Sequence, residues 1–278
     1  MLKYLIFTIS ILAFYFASKP PDFSVVFLDV GQGSSVLIQD KSCQVLYDVG
    51  NYYTATYRLG KHMPITDKVL EHVIISHFDL DHYGGIFNLL ERYQIQNIWI
   101  HHYSQVPQEL KSLISFKNIQ SSNTLCGISF NTLWPNSISQ RSDSKNENSI
   151  VLDFNFRGHT FLLTADIGCV TEPFINPTSD IINVLQSGHH GSRFSNCTPW
   201  LTRINPDYIV TQSGLNNSYN HPHPDFINRL QNISATHLRT DQVSDIIFDV
   251  GAQKLQVYSS RSKLQVQRLD RFLESRVL

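Results

Sequence analysis

The sequence has little of several features that would assign it quickly to a class of protein. Its 22 lysine and arginine residues oppose 23 aspartate and glutamate residues, so the formal net charge is −1. No overall basic field therefore indicates a nonspecific nucleic-acid binder. The four cysteines form no C-x-x-C pair and lack zinc-finger spacing, which leaves buried thiols or up to two disulfides. The sequence contains no G-x-S-x-G motif, so it gives no indication of a serine nucleophile.

A hydrophobic run long enough to cross a bilayer is also missing. Residues 4–17 are apolar apart from Thr8 and Ser10, whereas a full crossing takes about 20 such residues. The run is nearer the length of a signal-peptide core, but Tyr15 and Phe16 stand where the cleavage site needs a small residue. We therefore expect an uncleaved anchor or the last part of a longer transmembrane segment. A buried helix of a soluble protein is the alternative.

Potential metal ligands concentrate between a predicted strand and a predicted helix. The apolar residues 73–76 indicate a buried strand, and Gly84-Gly85 before the apolar residues 86–90 indicates entry into a helix. Between them stand two imidazoles and two carboxylates: His77, Asp79, Asp81 and His82. Alternate residues of an extended chain point the same way, so we expect the first three to face one site. This density favours a metal site over a solvated loop.

Two later stretches place candidate ligands at the ends of predicted strands. Residues 160–165 are mostly apolar and end at Asp166, and a buried carboxylate there is costly unless a cation meets it. Residues 180–185 predict another strand, which leads to the segment Gly188-His189-His190-Gly191. The glycines let the backbone bend closely around a site. One histidine can then bind a metal while the other faces a substrate.

These clusters resemble the metallo-β-lactamase superfamily, whose signature H-x-H-x-D-H matches residues 77–82 with Asp79 in place of the second histidine. From about Phe23 to Val250 the chain is similar to one branch, the extracytoplasmic domain of the ComEC proteins of bacterial DNA uptake. The shared segments are L-D-V-G-Q-G, L-L-T-A-D, H-H-G-S and N-x-Y-x-H-P. ComEC proteins usually have aspartate where Ser34 stands. The resemblance implies an α/β fold, the four-layered αββα sandwich, with ligands along one edge.

The resemblance also implies roles for individual residues. The implied metal ligands are His77 and Asp79 for one ion, Asp81 and His82 for the other, Asp166 as the bridge, and His190 completing one sphere. Asp48 would orient the metal-binding loop. The candidates for catalytic contacts are Asp81, His189 on the substrate side, and His221 as ligand, proton donor or leaving-group contact. His189 and His190 could exchange roles. The further candidates line the site or touch substrate: Asn148, Ser149, Ser192, Asn217 and Tyr219.

The implied chemistry is metal-assisted hydrolysis. Two cations about 3.5–4 Å apart can stabilise both oxygens of an in-line displacement at phosphorus. Asp79 hardens the ligand set, so the two divalent ions are Zn²⁺ or Mn²⁺. The leading hypothesis is a nuclease that degrades one strand of DNA during uptake, a substrate that only the resemblance supplies. The alternatives are hydrolysis of a small phosphodiester, such as choline phosphate on a cell surface, and a noncatalytic part of a DNA-translocation channel.

The chain is expected to hold one catalytic domain. We divide it into an N-terminal hydrophobic segment (1–21), a hydrolase domain (22–260) and a C-terminal tail (261–278). The segment would anchor the domain on the extracytoplasmic, periplasmic side of a membrane. Single-stranded DNA and a separate competence channel subunit are the expected partners. Residues 104–144 are polar and rich in asparagine and serine, which predicts a helix and loops over the outer face.

Overall fold

The computed structural model describes residues 3–4, 23–101, 105–136, 142, 144–250 and 255–260. Most of the predicted anchor and the whole predicted tail lie outside these residues, so both stay predictions. Among the described residues, no helix has the length and apolar character needed to span a bilayer.

β-branched and aromatic runs form the strands of the described residues. In chain order they are β1 (Phe23–Phe27), β2 (Val36–Asp40), β3 (Cys43–Tyr47), β4 (Val69–Ile74), β5 (Gln94–Ile100), β6 (Phe116–Asn118), β7 (Ser122–Leu125), β8 (Ile128–Trp134), β9 (Val151–Phe156), β10 (His159–Leu163), β11 (Val184–Gln186), β12 (Tyr208–Thr211), β13 (Thr236–Arg239), β14 (Ile246–Val250) and β15 (Leu255–Ser259). The α-helices are α1 (Thr54–His62), α2 (Leu80–Tyr83), α3 (Ile86–Leu90), α4 (Gln108–Lys111), α5 (Thr198–Ile204), α6 (Pro224–Leu230) and α7 (Thr240–Val243).

The strands form two mixed sheets. The first has the order β15-β14-β1-β2-β3-β4-β5-β6 and the second the order β13-β12-β11-β10-β9-β8-β7. Strands β3 to β6 run parallel, as do β10 to β13, whereas the remaining pairs are antiparallel. The carboxyl ends of neighbouring parallel strands meet at one edge of a sheet. Each sheet therefore has an edge at which several strand-to-loop connections converge, and there the candidate ligands lie.

Three apolar clusters hold the layers together. The largest lies between the sheets and includes Phe27, Phe154, Phe161 and Phe248, all fully buried. A second packs Leu59 of α1 and Leu89 of α3 against the outer face of the first sheet. A third covers the outer face of the second sheet with residues of α5 and α6, among them Trp200 and Phe226. The order helix, sheet, sheet, helix confirms the predicted four-layered αββα sandwich.

The prediction for residues 104–144 was wrong in part. The described residues of this stretch include α4, as expected, but also three strands, β6, β7 and β8. Strand β7 lies at the edge of its sheet, and the neighbouring β8 buries alternate positions such as Ile128 and Phe130. Edge strands with one wet face carry polar residues at every second position. The asparagine and serine content therefore hid their extended conformation.

The four cysteines form two disulfides. Cys43 at the start of β3 pairs with Cys126 in the turn between β7 and β8, so this bridge joins the two sheets. Asp48 follows the other end of β3, which places the bridge at the far end from the candidate site. Cys169 pairs with Cys197, which links the loop after Asp166 to the start of α5.

We expect the double variant Cys43→Ser/Cys126→Ser to lose about 4 kcal/mol of free energy of unfolding, because the bridge closes a loop with a sequence separation of 83. Urea denaturation followed by circular dichroism measures this loss. Metal binding should be unchanged, since the bridge is remote from the ligands. An unchanged urea midpoint would contradict a stabilising link between the sheets.

Candidate metal centre

The first group of ligands follows strand β4. His77 and Asp79 lie on the extended segment that leaves the strand, and α2 begins at Leu80, directly after them. The expectation that His77, Asp79 and Asp81 share one extended face was therefore wrong for Asp81. Asp81 and His82 lie on the helix instead, so their side chains diverge from that alternation. This helix ends at Tyr83, directly before the glycine pair, and Asp79 before it is extended.

The second group follows the parallel strands of the other sheet. Asp166 comes after β10, and its neighbour Ala165 has a positive φ of 43°. After β11, His189 and His190 both adopt left-handed conformations, with φ of 46° and 55°. Such conformations are uncommon for residues other than glycine and persist where the surroundings impose them. Here they turn two adjacent imidazoles toward the end of β10.

The two groups meet around Asp166. His82 Nε2 lies 3.1 Å from Asp166 Oδ1, and His190 Nε2 lies 3.5 Å from the same oxygen. His77 Nε2 lies 4.0 Å from Asp166 Oδ2 and 3.7 Å from Asp79 Oδ2. These are the distances at which side chains of two sheets can share a small cation.

A second set of contacts surrounds His190. Its Nε2 lies 3.3 Å from Asp81 Oδ2 and 3.3 Å from His82 Nε2. Two groups of three side chains thus have ligand atoms within 4.8 Å of one another: His77, His82 and Asp166, and Asp81, His82 and His190. His82 belongs to both groups. The geometry therefore places it within reach of both groups of side chains, whereas the resemblance gave it to one ion only.

Hydrogen bonds fix which nitrogen of each imidazole carries its proton. His82 Nδ1 lies 2.7 Å from Asp48 Oδ2, and His190 Nδ1 lies 2.9 Å from the carbonyl oxygen of Gln212. Carboxylate and carbonyl oxygens only accept, so both Nδ1 atoms donate. In the neutral rings, both Nε2 atoms are left with a free lone pair pointing into the cluster.

His77 reaches the same state through two hydroxyls. Its Nδ1 lies 3.1 Å from Ser76 Oγ and 3.2 Å from Ser149 Oγ. Ser76 donates its proton to Asp48 and Ser149 donates its proton to the carbonyl of Asn146, so both hydroxyls accept from His77. The Nε2 of His77 is buried and has no hydrogen-bond partner. It too presents a lone pair.

When these imidazoles are neutral, the cluster is a set of acceptors without a donor. Asp166 Oδ1, like His77 Nε2, is buried without a conventional hydrogen bond. Lone pairs this close repel one another unless a cation lies between them. Neutral imidazoles backed by a carboxylate or carbonyl are the usual donors to metal ions. The residues present fit one or two divalent cations.

The acid–base properties of the cluster agree with this fit. Burial alone would raise the pKa of the Asp166 carboxyl, but the charges of His82 and His190 hold that pKa well below its ordinary value. Burial alone would lower the pKa of His82, yet Asp166 and Asp48 raise that pKa well above its ordinary value. The site thus attracts positive charge strongly, and metal binding there would release protons.

Asp48 lies directly behind the cluster. Its fully buried carboxylate accepts from the backbone N–H and the hydroxyl of Ser76, both at 2.8 Å, and from His82. These three donors occupy both of its oxygens. Asp48 therefore orients a ligand without facing the cluster itself.

The structure separates the two adjacent histidines by exposure. The His190 side chain is 4% exposed and enters the cluster, whereas His189 is 36% exposed, with its Nε2 3.6 Å from Asp166 Oδ2. The His221 ring lies 5.7 Å from that of His189, and its Nδ1 is buried without a partner. Burial lowers the pKa of His221 to about 4, so it is a neutral imidazole near pH 7.

Two predicted site residues do not face the cluster. Asn148 donates to the carbonyls of Ser142 and Ser144 and accepts from the Ser142 backbone, so it shapes its own loop. Ser192 is 4% exposed, and its hydroxyl oxygen accepts from the Phe194 backbone N–H in the turn after His190. Short polar residues in loops commonly bond the local backbone in this way. The predicted roles of both residues toward a substrate stay predictions.

Several residues with a part in the site carried no signal in the sequence. Ser76 and the Gln212 carbonyl set the imidazole protons, and Asn146 Nδ2 lies 3.4 Å from His189 Nε2. Lys145 Nζ lies 3.4 Å from Asp79 Oδ1.

Gln186 supports the backbone that leads to Asp166. It accepts from the backbone N–H groups of Thr164 and Ala165, which fixes the conformation of the chain before Asp166. Backbone carbonyls and single polar residues have no spacing that a sequence pattern can recognise.

Comparison with known proteins agrees with the arrangement of ligands. Residues 28–165 match the family model described as the metallo-beta-lactamase superfamily. The chain contains a metallo-β-lactamase superfamily domain. Among solved structures, the metallo-beta-lactamase fold protein YhfI from Bacillus subtilis is 15% identical, with a TM-score of 0.54, over 78% of this chain and 95% of that chain. This likeness shows the shared fold.

Two curated relatives lie in the ComEC branch, as the sequence predicted. Recombination protein 2 of Haemophilus influenzae is 29% identical over 268 residues, covering 91% of this chain and 32% of that protein. Competence protein ComA of Neisseria gonorrhoeae is 29% identical over 247 residues, covering 84% of this chain and 34% of that protein. The chain spans about a third of the length of these relatives.

We expect Asp48→Asn to weaken metal binding by about 10- to 100-fold, because an amide cannot accept from His82 and both Ser76 donors. Isothermal titration calorimetry with Zn²⁺ and with Mn²⁺ measures the affinity. Asp153→Asn is the matched control, since Asp153 is also fully buried and accepts from three donors elsewhere, from Asn131 and Thr178. Equal losses in both variants would contradict a specific role for Asp48.

Proposed function

We propose that the chain is a binuclear metal-dependent phosphodiester hydrolase that degrades single-stranded DNA during DNA uptake in natural competence. The observation that carries this proposal is the cluster in which imidazole Nε2 atoms and carboxylate oxygens from both sheets converge on Asp166. Divalent cations held there would polarise a phosphoryl oxygen and supply a nucleophilic water near neutral pH. The mixed imidazole and carboxylate donors suit Zn²⁺ or Mn²⁺.

Exposure supports one direction of approach for the substrate. Asp79 and His189 have side chains 37% and 36% exposed, whereas the imidazoles of the predicted ligands His77, His82 and His190 are buried. Lys145 lies on this open side, 3.4 Å from Asp79, and its ammonium can pair with a phosphate oxygen. His221 flanks His189 and is placed to contact the leaving oxygen. Asn146 restrains the His189 ring beside it.

Similarity to competence proteins supports DNA as the substrate. The two disulfides support an oxidising, extracytoplasmic compartment, because bridges of this kind rarely persist in the cytosol. We propose that the N-terminal segment holds the domain at the outer face of a membrane. We propose a separate competence channel subunit as a partner, as the resemblance to the ComEC proteins implies.

The decisive experiment is cleavage of end-labelled single-stranded DNA by the full chain with Mn²⁺ or Zn²⁺ added. Asp166→Asn should abolish cutting, because it removes the carboxylate that touches both groups of ligands. Asp153→Asn again serves as the control for a buried carboxylate outside the site. Cutting that is independent of metal, or that survives in Asp166→Asn, would contradict the proposal.

The same preparation separates the alternatives. Bound metal without DNA cleavage, but with hydrolysis of glycerophosphocholine, would favour a small phosphodiester. The absence of bound metal would favour a noncatalytic part of a DNA-translocation channel. Metal analysis of the purified chain by mass spectrometry therefore accompanies the cleavage assay.

A further inference from the structure

Tyr219 is an exposed aromatic ring beside the candidate metal centre. The residue is 64% exposed, although its ring stacks on that of His221 with 5.8 Å between centroids and 27° between planes. His221 in turn lies 5.7 Å from the ring of His189 and 6.4 Å from that of His190. A series of rings therefore leads from solvent to the ligand cluster.

The loop that carries Tyr219 has a fixed shape. The Asn217 amide donates to the carbonyl oxygens of Gly214, at 2.9 Å, and His221. Its carbonyl oxygen accepts from the backbone N–H groups of Tyr219, at 3.1 Å, and His221, at 3.0 Å. These bonds all lie within the loop, so they fix its conformation before any substrate binds. Tyr219 is thus held ready with one ring face against His221.

Away from the metal centre, the protein's own charges offer a polyanion little affinity. The net charge of the chain is −1, and Arg193 beside the centre lies 3.2 Å from Asp225. Metal ions and Lys145 would contact the phosphate that is cleaved, but they do not distinguish a nucleic acid from another phosphodiester. A contact with the bases themselves would supply that distinction and additional affinity. Stacking of a base on an aromatic ring contributes about tenfold in affinity and tolerates any base.

We infer that Tyr219 is a base-stacking platform for the nucleotide next to the scissile phosphodiester. This inference rests on the proposed phosphodiesterase function and specifies how the site selects its substrate. The bases of a single strand are free to stack on a protein ring, whereas those of a duplex are stacked on one another. Tyr219 would thereby favour single-stranded nucleic acid over a phosphodiester that has no base.

The test combines a change in the protein with a change in the substrate. The oligonucleotides are a short oligothymidine and a matched set that carries one abasic residue at each position in turn. The proteins are the full-length wild type, Tyr219→Leu, and Tyr219→Phe, which keeps the ring. Ile65→Ala is the control for an exposed apolar residue at the opposite edge, because Ile65 is 73% exposed and precedes the amino end of β4.

Affinity is measured by fluorescence anisotropy on phosphorothioate oligonucleotides with Mn²⁺ present, and kcat/KM on unmodified ones. One abasic position should weaken wild-type binding about tenfold. The substitution Tyr219→Leu should weaken binding of the intact oligonucleotide by a similar factor. The affinity of this variant should then be the same with and without the abasic residue at that position. Tyr219→Phe and Ile65→Ala should resemble the wild type. If the abasic residue weakens binding to Tyr219→Leu by as large a factor as binding to the wild type, the inference is overturned.

Binding and cleavage separate this inference from the proposed function. Base-dependent binding through Tyr219 without metal-dependent cutting would keep the stacking platform and reject the nuclease. Cutting without coupling between Tyr219 and a base would keep the nuclease and reject the platform. Binding of glycerophosphocholine that is lost in Tyr219→Leu, with no dependence on a base, would overturn the inference, because the ring would then recognise a quaternary ammonium.

Discussion

The site depends on one constraint, which is that imidazole nitrogens from both sheets converge on the buried carboxylate of Asp166. Asp48 holds a proton on the outer nitrogen of His82, the Gln212 carbonyl does so for His190, and two serine hydroxyls do so for His77. The inner nitrogens can then face the carboxylate only if a positive charge, a proton or a metal ion, joins them. The raised pKa of His82 shows how strongly the surroundings favour that charge, and a divalent cation can replace the protons there.

The sandwich makes this convergence possible because its two sheets end their parallel strands at the same place. Strands β3 and β4 deliver Asp48 and His77, while β10 and β11 deliver Asp166 and His190. Neither sheet alone carries a complete set of ligands. Packing of the apolar core between the sheets therefore sets the distances within the site, and the disulfide from Cys43 holds the sheets together at the opposite end.

The ligand types were accessible from sequence patterns, since apolar runs that lead to histidine or aspartate mark β4 and β10. The fold was accessible only through the resemblance of residues 77–82 and the other shared segments to the superfamily, because the pattern of strands and helices fits other α/β layouts equally well. Helix α2 was missed because a single turn has no periodicity to recognise. The sharing of His82 between two groups of ligands was also inaccessible, since it depends on how one sheet lies over the other. The contact of His190 with the Gln212 carbonyl could not be predicted either, because every residue has a backbone carbonyl and the sequence does not indicate which one will be used.

The departure of Ser34 from the family pattern bears on whether the site retains activity. Its hydroxyl accepts from Gln186 at 2.9 Å, and its backbone N–H donates to the carbonyl of Asp81. Gln186 in turn fixes the backbone before Asp166. The substitution therefore acts on the supports of two ligands, and Ser34 makes no contact with the converging lone pairs. The six predicted ligands nevertheless stay together, because the side chain of each lies within 4.0 Å of another member of the set, with Asp166 at their centre. Their role as metal ligands stays a prediction.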